Sequence, residues 1–320
     1  MAASGNAGSA GWPVLILTGP TGSGKSAWAV ALAEAAPVEI ISVDSAQVYR
    51  GLDIGTAKPE RSLRERIPHH LVDICDPAER YSAGRFVSDA LVQMQAIRAR
   101  GRVPLLAGGT MLYLRALWHG LAPLPQASAQ VRAQLDARAA HEGWPALHAE
   151  LARVDPQAAA RIQPADGQRI QRALEVACTA GQPISQLQRA TVSPLKGWAV
   201  RCWMLHPADR PALHQRLESR FAAMMARGFL DEVRQLRDRG DLTPDLPAMR
   251  AVGYRQLWSH LAGEVSLAQA RERALSATRQ LAKRQLTWMR SEPAGTWVDP
   301  QGGPVSWIKD IRSLLGPLGL

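Results

Sequence analysis

Apolar positions in the first 120 residues fall into short continuous runs separated by stretches with helical spacing. Val14–Thr18 is a mostly apolar run that stops at a glycine-rich loop, and Ser26–Ala36 behind it, rich in Ala, reads as a helix. Val38–Val43 is a second run, rich in β-branched residues. Val103–Ala107 is a third, closed by Gly108 and Gly109, with Pro104 near its start counting against a strand. Runs this short, alternating with helices, predict an α/β fold with a parallel sheet of the doubly wound type flanked by helices.

The pattern changes at Leu121–Pro125, where LAPLP breaks any regular element. Residues 127–190 then read as helices anchored by Val131, Leu135, Leu147, Leu151, Ile162, Ile170, Leu174 and Leu187. Trp198–Leu205 is an apolar run suited to return to the sheet. Leu213–Arg227, Leu230–Gly240 and Leu267–Arg290 are helical again. The expected division is a disordered tail over residues 1–12, the first part of the core over 13–124, an all-helical insertion over 125–196, and completion of the core over 197–320.

Composition excludes some classes of protein. With 46% hydrophobic and 21% charged residues, the chain cannot be mainly disordered. Pro13, Thr18 and Gly19 interrupt the first hydrophobic stretch, so no run reaches the roughly 18 residues of a membrane span. MAASGNAGSA has no basic n-region and reads as a tail, not a targeting peptide. Cys75, Cys178 and Cys202 form neither a disulfide framework nor a zinc spacing. A soluble, cytoplasmic protein is expected.

Charge adds a direction. Residues 1–160 carry 15 basic and 14 acidic side chains, whereas residues 161–320 carry 23 and 14. Nearly all of the net +10 therefore sits in the second half. Such a half attracts polyanions, nucleic acid first among them, although an Arg-rich solvated surface gives the same count.

The chemistry begins at Gly19-Pro20-Thr21-Gly22-Ser23-Gly24-Lys25-Ser26, which fits G-x-x-x-x-G-K-[ST] at every fixed position. It follows an apolar strand and opens a helix, as a phosphate cradle must. The glycines let backbone N–H groups turn inward, and the helix N-terminus adds partial positive charge. Lys25 would reach outer phosphate oxygens and Ser26 would hold Mg²⁺. The core is thus P-loop NTPase-like, but an ATP-driven motor needs a second apolar strand ending in an acid that handles Mg²⁺ and water, and neither candidate run is followed by residues suited to that. The run 103–107 ends in Gly108-Gly109-Thr110, and the run 38–43 ends in Asp44 followed by Ser45-Ala46-Gln47.

In an open α/β sheet, ligands bind outside the carboxyl ends of the strands. The phosphate loop, Asp44 and Thr110 each follow a strand and should line one crevice. A carboxylate, a hydroxyl and a phosphate cradle together suggest group transfer with a diphosphate leaving group. Taken alone, Asp44 also suits a helix N-cap or an outer Mg²⁺ contact, and Thr110 an N-cap for a helix starting at Met111. Arg216 and Arg220, at i and i+4, suit either the diphosphate or a surface pair facing Glu218.

These segments resemble the tRNA dimethylallyltransferase family. The resemblance rests on GPTGSGKS, EIISVDSAQVYRGLDIGTAKP (Glu39–Pro59), PHHLVDICDPAERYSAGRF (Pro68–Phe86) and PLLAGGTMLYLRAL (Pro104–Leu117). QRIQRALEV (Gln168–Val176), DLPAMRAVGYRQLW (Asp245–Trp258) and ATRQLAKRQLTWMR (Ala277–Arg290) extend it in the family's order. It implies transfer of a dimethylallyl group from dimethylallyl diphosphate to N6 of the adenosine 3′-adjacent to the anticodon. The phosphate loop would hold the prenyl diphosphate, Asp44 would accept the N6 proton, and Thr110 would help hold the adenine and diphosphate. Contacts to the tRNA anticodon stem-loop would come from Asp44, Ser45, Ala46, Gln47, Thr110 and Arg132. Further contacts would come from Gln168, Arg169, Ile170, Gln171 and Arg172, and from Arg250, Ala251, Val252, Gly253, Tyr254 and Arg255. The last set is Lys283, Arg284, Gln285, Leu286, Thr287, Trp288, Met289 and Arg290. A monomer with Mg²⁺ as cofactor and no protein partner is expected.

The chain departs from the family at Ala46, where many members carry a longer side chain, and at Gln163-Pro164-Ala165-Asp166. After Arg290 it lacks the Cys/His pairs of the eukaryotic zinc-finger extension. Three rival readings use the same loop: an adenylate isopentenyltransferase acting on free nucleotide, a P-loop small-molecule kinase, and a binding-only RNA protein. The basic helical half disfavours the first, the long helical insertion the second, and intact Lys25, Ser26, Asp44 and Thr110 the third.

Overall fold

The computed structural model describes residues 11–126, 128–188, 191–292, 295–303 and 308. Most of the expected tail lies outside them, but Trp12 belongs to a strand. The chain divides into two compact units, Met1–Arg115 with Leu195–Leu320, and Ala116–Pro194.

The first unit is built on a sheet of β1 (Trp12–Thr18), β2 (Val38–Val43), β3 (His69–His70), β4 (Val103–Gly108), β5 (Trp198–Leu205) and β6 (Thr296–Val298). Their order is β3-β2-β4-β1-β5-β6, with every pair parallel. Val14–Leu17 and all of β2 are buried, the continuous burial expected of a parallel sheet covered on both faces. The helix Lys25–Ala35 buries Trp28, Ala29 and Leu32 against Leu15, Leu17, Val38, Ile40, Val103 and Leu105. The helix Ala83–Ala99, capped by Ser82, packs Phe86, Ala90, Met94 and Ile97 against β2 and β4.

Pro104 sits in β4 between two neighbouring strands, against the sequence reading. It is tolerated because the ladder with β1 starts one residue later, at Leu15 and Leu105. β3 and β6, of two and three residues, are too short to show any periodicity in the sequence.

Register decides where the chemistry converges. Thr18 and Val43 are both partners of Gly108. The segments leaving β1, β2 and β4 therefore start side by side. A Cβ on Gly108 would lie 2.1 Å from Val43 O, so only glycine permits that approach.

The second unit is helical among its described residues. Its longer helices are Ala129–Glu142, Trp144–Val154 and Gly167–Ala180, packed around Leu135, Leu147, Leu151, Ile170 and Leu174. Inside it, fully buried Glu175 accepts from Arg132 Nε at 2.9 Å, Arg172 Nη1 at 2.7 Å and Ser128 N at 2.8 Å. Burial pushes the Glu175 carboxyl up, but these donors outweigh it and hold it below the usual range.

Candidate active site

The phosphate loop turns at Gly22 and Gly24, with φ of 79° and 89°, in the left-handed region that favours glycine. Gly24 caps the helix Lys25–Ala35, so the open helix N-terminus faces the cradle. Lys25 Nζ donates to Pro20 O at 3.4 Å, and burial pushes its ammonium down to about 8, with Asp44 opposing and Arg220 adding to the shift. Thr21 N donates to Gln285 Oε1 at 2.8 Å.

Asp44 begins the chain after β2. Its Oδ1 accepts from Ala46 N at 2.9 Å and Gln47 N at 3.3 Å, closing a turn and not capping a helix. Among the described residues its Oδ2 has no hydrogen-bond partner. Thr110 N donates to Val43 O at 3.1 Å, and Thr110 Oγ1 accepts from Ser45 N at 3.0 Å. The hydroxyl thus braces the Asp44 turn and does not cap the helix Met111–His119.

Arg220 lines the same cavity as Asp44 and Lys25; burial lowers its guanidinium, and the charge of Asp44 partly offsets this. Arg216, one turn earlier, is exposed and reaches the same cavity. Glu218 pairs with Arg279, which leaves Arg216 and Arg220 for an anion. A cavity of about 850 Å³ in this unit is lined by Lys25, Ser26, Asp44, Thr110, Arg216 and Arg220.

Its wall is partly apolar, with Leu217, Phe221 and Met224 from the helix Arg210–Ala226, together with Phe229 and Trp288. Another part is the loop through Gly55, Thr56 and Ala57. Glu232, in the helix Phe229–Asp238, accepts from Asp53 N at 3.1 Å, Ile54 N at 2.6 Å, Gly55 N at 3.2 Å and Tyr254 Oη at 2.5 Å. Buried Lys58 donates to Tyr49 O at 2.8 Å and pairs with Asp53 and Asp73, each at 2.5 Å. These anchors hold Ala57 at φ 49°. Sequence reasoning passes over Glu232 because its loop partners lie on a distant segment, and over Lys58 because nothing in the sequence marks its side chain as turned inward.

Several residues expected to touch RNA are committed inside the protein. Arg132 and Arg172 neutralise Glu175, Ile170 is core, and Gln171 Nε2 donates to Asp136 at 2.7 Å. Gly253 and Tyr254 are buried, the latter against Phe229 and Glu232. In the helix Leu267–Arg290, Gln285, Leu286 and Met289 are buried, since that face packs inward. Gln47 is held by Ser42 Oγ at 3.0 Å and Thr56 O at 3.3 Å. The exposed members are Ser45, Gln168, Arg169, Arg250, Arg255, Lys283, Arg284, Thr287 and Arg290, and Ala46, Ala251, Val252 and Trp288 are partly so.

Among the described residues no group of three His, Cys, Asp or Glu side chains could hold a metal. Ser26 and Asp44 nonetheless offer oxygens at the cavity, which fits Mg²⁺ held mainly by phosphate oxygens and water. No described helix is long and apolar enough to cross a membrane.

Comparison with known proteins bears on this site. Residues 47–292 match the family model for IPP transferase, and residues 13–67 that for isopentenyl transferase. The chain is 57% identical over 298 residues to the tRNA dimethylallyltransferase of Bordetella petrii, covering 92% of this chain and 94% of that one. It is 58% identical over 290 residues to that of Alkalilimnicola ehrlichii, covering 90% and 91%. Among solved structures it resembles the tRNA isopentenylpyrophosphate transferase of Bacillus halodurans, with TM-score 0.69, 35% identity, and 95% and 97% of the two chains covered. It also resembles a eukaryotic dimethylallyltransferase solved acting on tRNA, with TM-score 0.75, 28% identity, and 90% and 74% covered.

Proposed function

The chain belongs to the tRNA dimethylallyltransferase (IPP transferase) family, and on that premise we propose how its cavity performs prenyl transfer to tRNA. The acceptor is N6 of the adenosine 3′-adjacent to the anticodon, and the donor is dimethylallyl diphosphate. The N6–C1 bond forms as the C1–O bond breaks, and the electron pair leaves with the diphosphate. Negative charge builds on that leaving group, and positive charge spreads over the allyl fragment. Lys25, Arg220 and the inward N–H groups of the phosphate loop stabilise the first. Asp44 Oδ2 accepts the N6 proton, and Oδ1 keeps the carboxylate aimed through the 44–47 turn. Thr110 braces that turn from β4. Ser26 would hold Mg²⁺, which supplies further charge neutralisation on the diphosphate oxygens. The target base leaves its stack to reach a strand-end crevice, at modest cost in a single-stranded loop. Leu217, Phe221 and Met224 give the five-carbon tail an apolar wall.

The observation that carries this reading is the meeting of an unpartnered Asp44 carboxylate oxygen with Lys25, Arg216 and Arg220 in one cavity. The exposed cations Arg250, Arg255, Lys283, Arg284 and Arg290 supply RNA backbone contacts. The enzyme works as a monomer in the cytoplasm, where its three free thiols stay reduced. Incubation with labelled dimethylallyl diphosphate and either tRNA or AMP is the test. Label should enter tRNA, and label entering AMP alone would overturn the reading.

A further inference from the structure

Gln285 sits on the helix that carries the exposed cations Lys283, Arg284 and Arg290, yet it points the other way, at 7% exposure. Its amide is used at both ends. Oε1 accepts from Thr21 N of the phosphate loop at 2.8 Å, and Nε2 donates to Gly109 O at 2.7 Å. Gly109 directly precedes Thr110, whose hydroxyl braces the Asp44 turn. A single side chain therefore ties the basic helix to the diphosphate cradle on one side and to the base-holding segment on the other. The fit is close: a Cβ on Gly109 would lie 2.4 Å from Nε2. Gln285 is separated from its partners by 264 and 176 residues, so the tie is tertiary and belongs to the assembled site.

We infer that Gln285 is a positioning residue that couples tRNA binding to diphosphate binding. Its physical basis is reciprocity. If RNA phosphates draw on Lys283 and Arg284, the helix segment they flank bears on Thr21 N and Gly109 O. Any preference of one ligand for one setting of that segment is felt equally by the other. The neighbouring amide also fixes which loop N–H groups face the diphosphate, since Thr21 N is already committed. The inference rests on the proposed reaction, because it needs both ligands to bind this chain.

The test uses the full-length enzyme with inorganic diphosphate plus Mg²⁺ as one probe and an anticodon stem-loop RNA as the other. The Kd of each is measured by calorimetry, alone and with the other saturating. In the wild type the two should shift each other's Kd by the same factor, about fivefold or more. In Gln285→Met, which keeps the volume and removes both bonds, that factor should fall toward one while the Kd for RNA alone stays near wild type. Gly109→Ala displaces the same amide from the opposite side and should give the same uncoupling. It carries the test if Gln285→Met does not fold. A purely structural role would lower thermal stability and weaken both ligands without removing the mutual factor. A wild-type factor of one, or an unchanged factor in whichever variant folds, overturns the coupling. If one probe fails to bind even with the other saturating, the coupling is overturned, and transfer of label from dimethylallyl diphosphate to tRNA decides the reaction separately.

Discussion

Because Asp44 Oδ1 already accepts from the Ala46 and Gln47 amides, exchanging the carboxylate for an amide can leave the turn in place while removing the basic oxygen. Asp44→Asn should therefore keep its melting temperature and its affinity for both substrates, and lose about 10²–10⁴-fold in turnover, the usual worth of a positioned base. Near-normal turnover in a stable Asp44→Asn enzyme would move the base elsewhere. Lys25 makes a second expectation, in pH. Burial holds its ammonium at about 8, well below an ordinary lysine, so in the free enzyme it loses its proton as pH rises through that value. A diphosphate is held by the protonated form and raises the pKa again on binding. Affinity for dimethylallyl diphosphate should thus be level below about pH 8 and fall above it, with proton uptake on binding in that range. Lys25→Arg keeps its charge throughout and should flatten the alkaline limb. An alkaline limb that persists unchanged in Lys25→Arg would assign the titration to another group.

At the scale of elements, the helix Phe229–Asp238 organises the cavity loop from a distance. Glu232 satisfies three successive amides of residues 53–55, and Phe229 fills the space above Gly55 and Gly253. A Cβ on Gly55 would lie 2.1 Å from the Phe229 ring, so Gly55→Ala should cost about 1–3 kcal/mol through overpacking, read as a lower denaturation midpoint. Pairing it with Phe229→Leu should return part of that loss; no recovery would mean the strain lies elsewhere. This is also where sequence reading stops. The phosphate loop is legible because its fixed glycines, lysine and serine lie within eight consecutive residues after an apolar strand. Asp44 and Thr110 are legible because a parallel sheet puts strand ends on one edge. Glu232 is not, since its loop partners are 177 to 179 residues away and nothing local marks it as their acceptor. Their place in a motif assigns Gln285, Leu286 and Met289 to RNA, but only packing shows which face of a helix turns inward. Arg132 and Arg172 follow the same logic, and the buried Glu175 between them decides otherwise.

For the whole molecule, the charge excess of the second half matters only through cations that remain available. Many are already matched: Arg172 with Glu175, Arg169 with Asp166, Arg279 with Glu218, and Arg239 with Asp76 and Asp241. Lys283, Arg284 and Arg290 are exposed, and among the described residues they have no ion-pair partner. Matched cations add little to the field that a polyanion meets, because their counter-charges travel with them. Unmatched ones displace condensed counterions from RNA, and the dependence of affinity on salt counts them. Replacing Lys283, Arg284 and Arg290 with Gln should weaken tRNA binding and reduce the slope of log K against log salt by up to about 0.7–0.9 for each phosphate no longer neutralised. Arg239→Gln, which removes a cation already shared by two carboxylates, should leave that slope nearly unchanged. A slope insensitive to the triple replacement would show that these three are merely solvated, and the RNA-binding charge would then have to be sought on other exposed cations, Arg250 and Arg255 first.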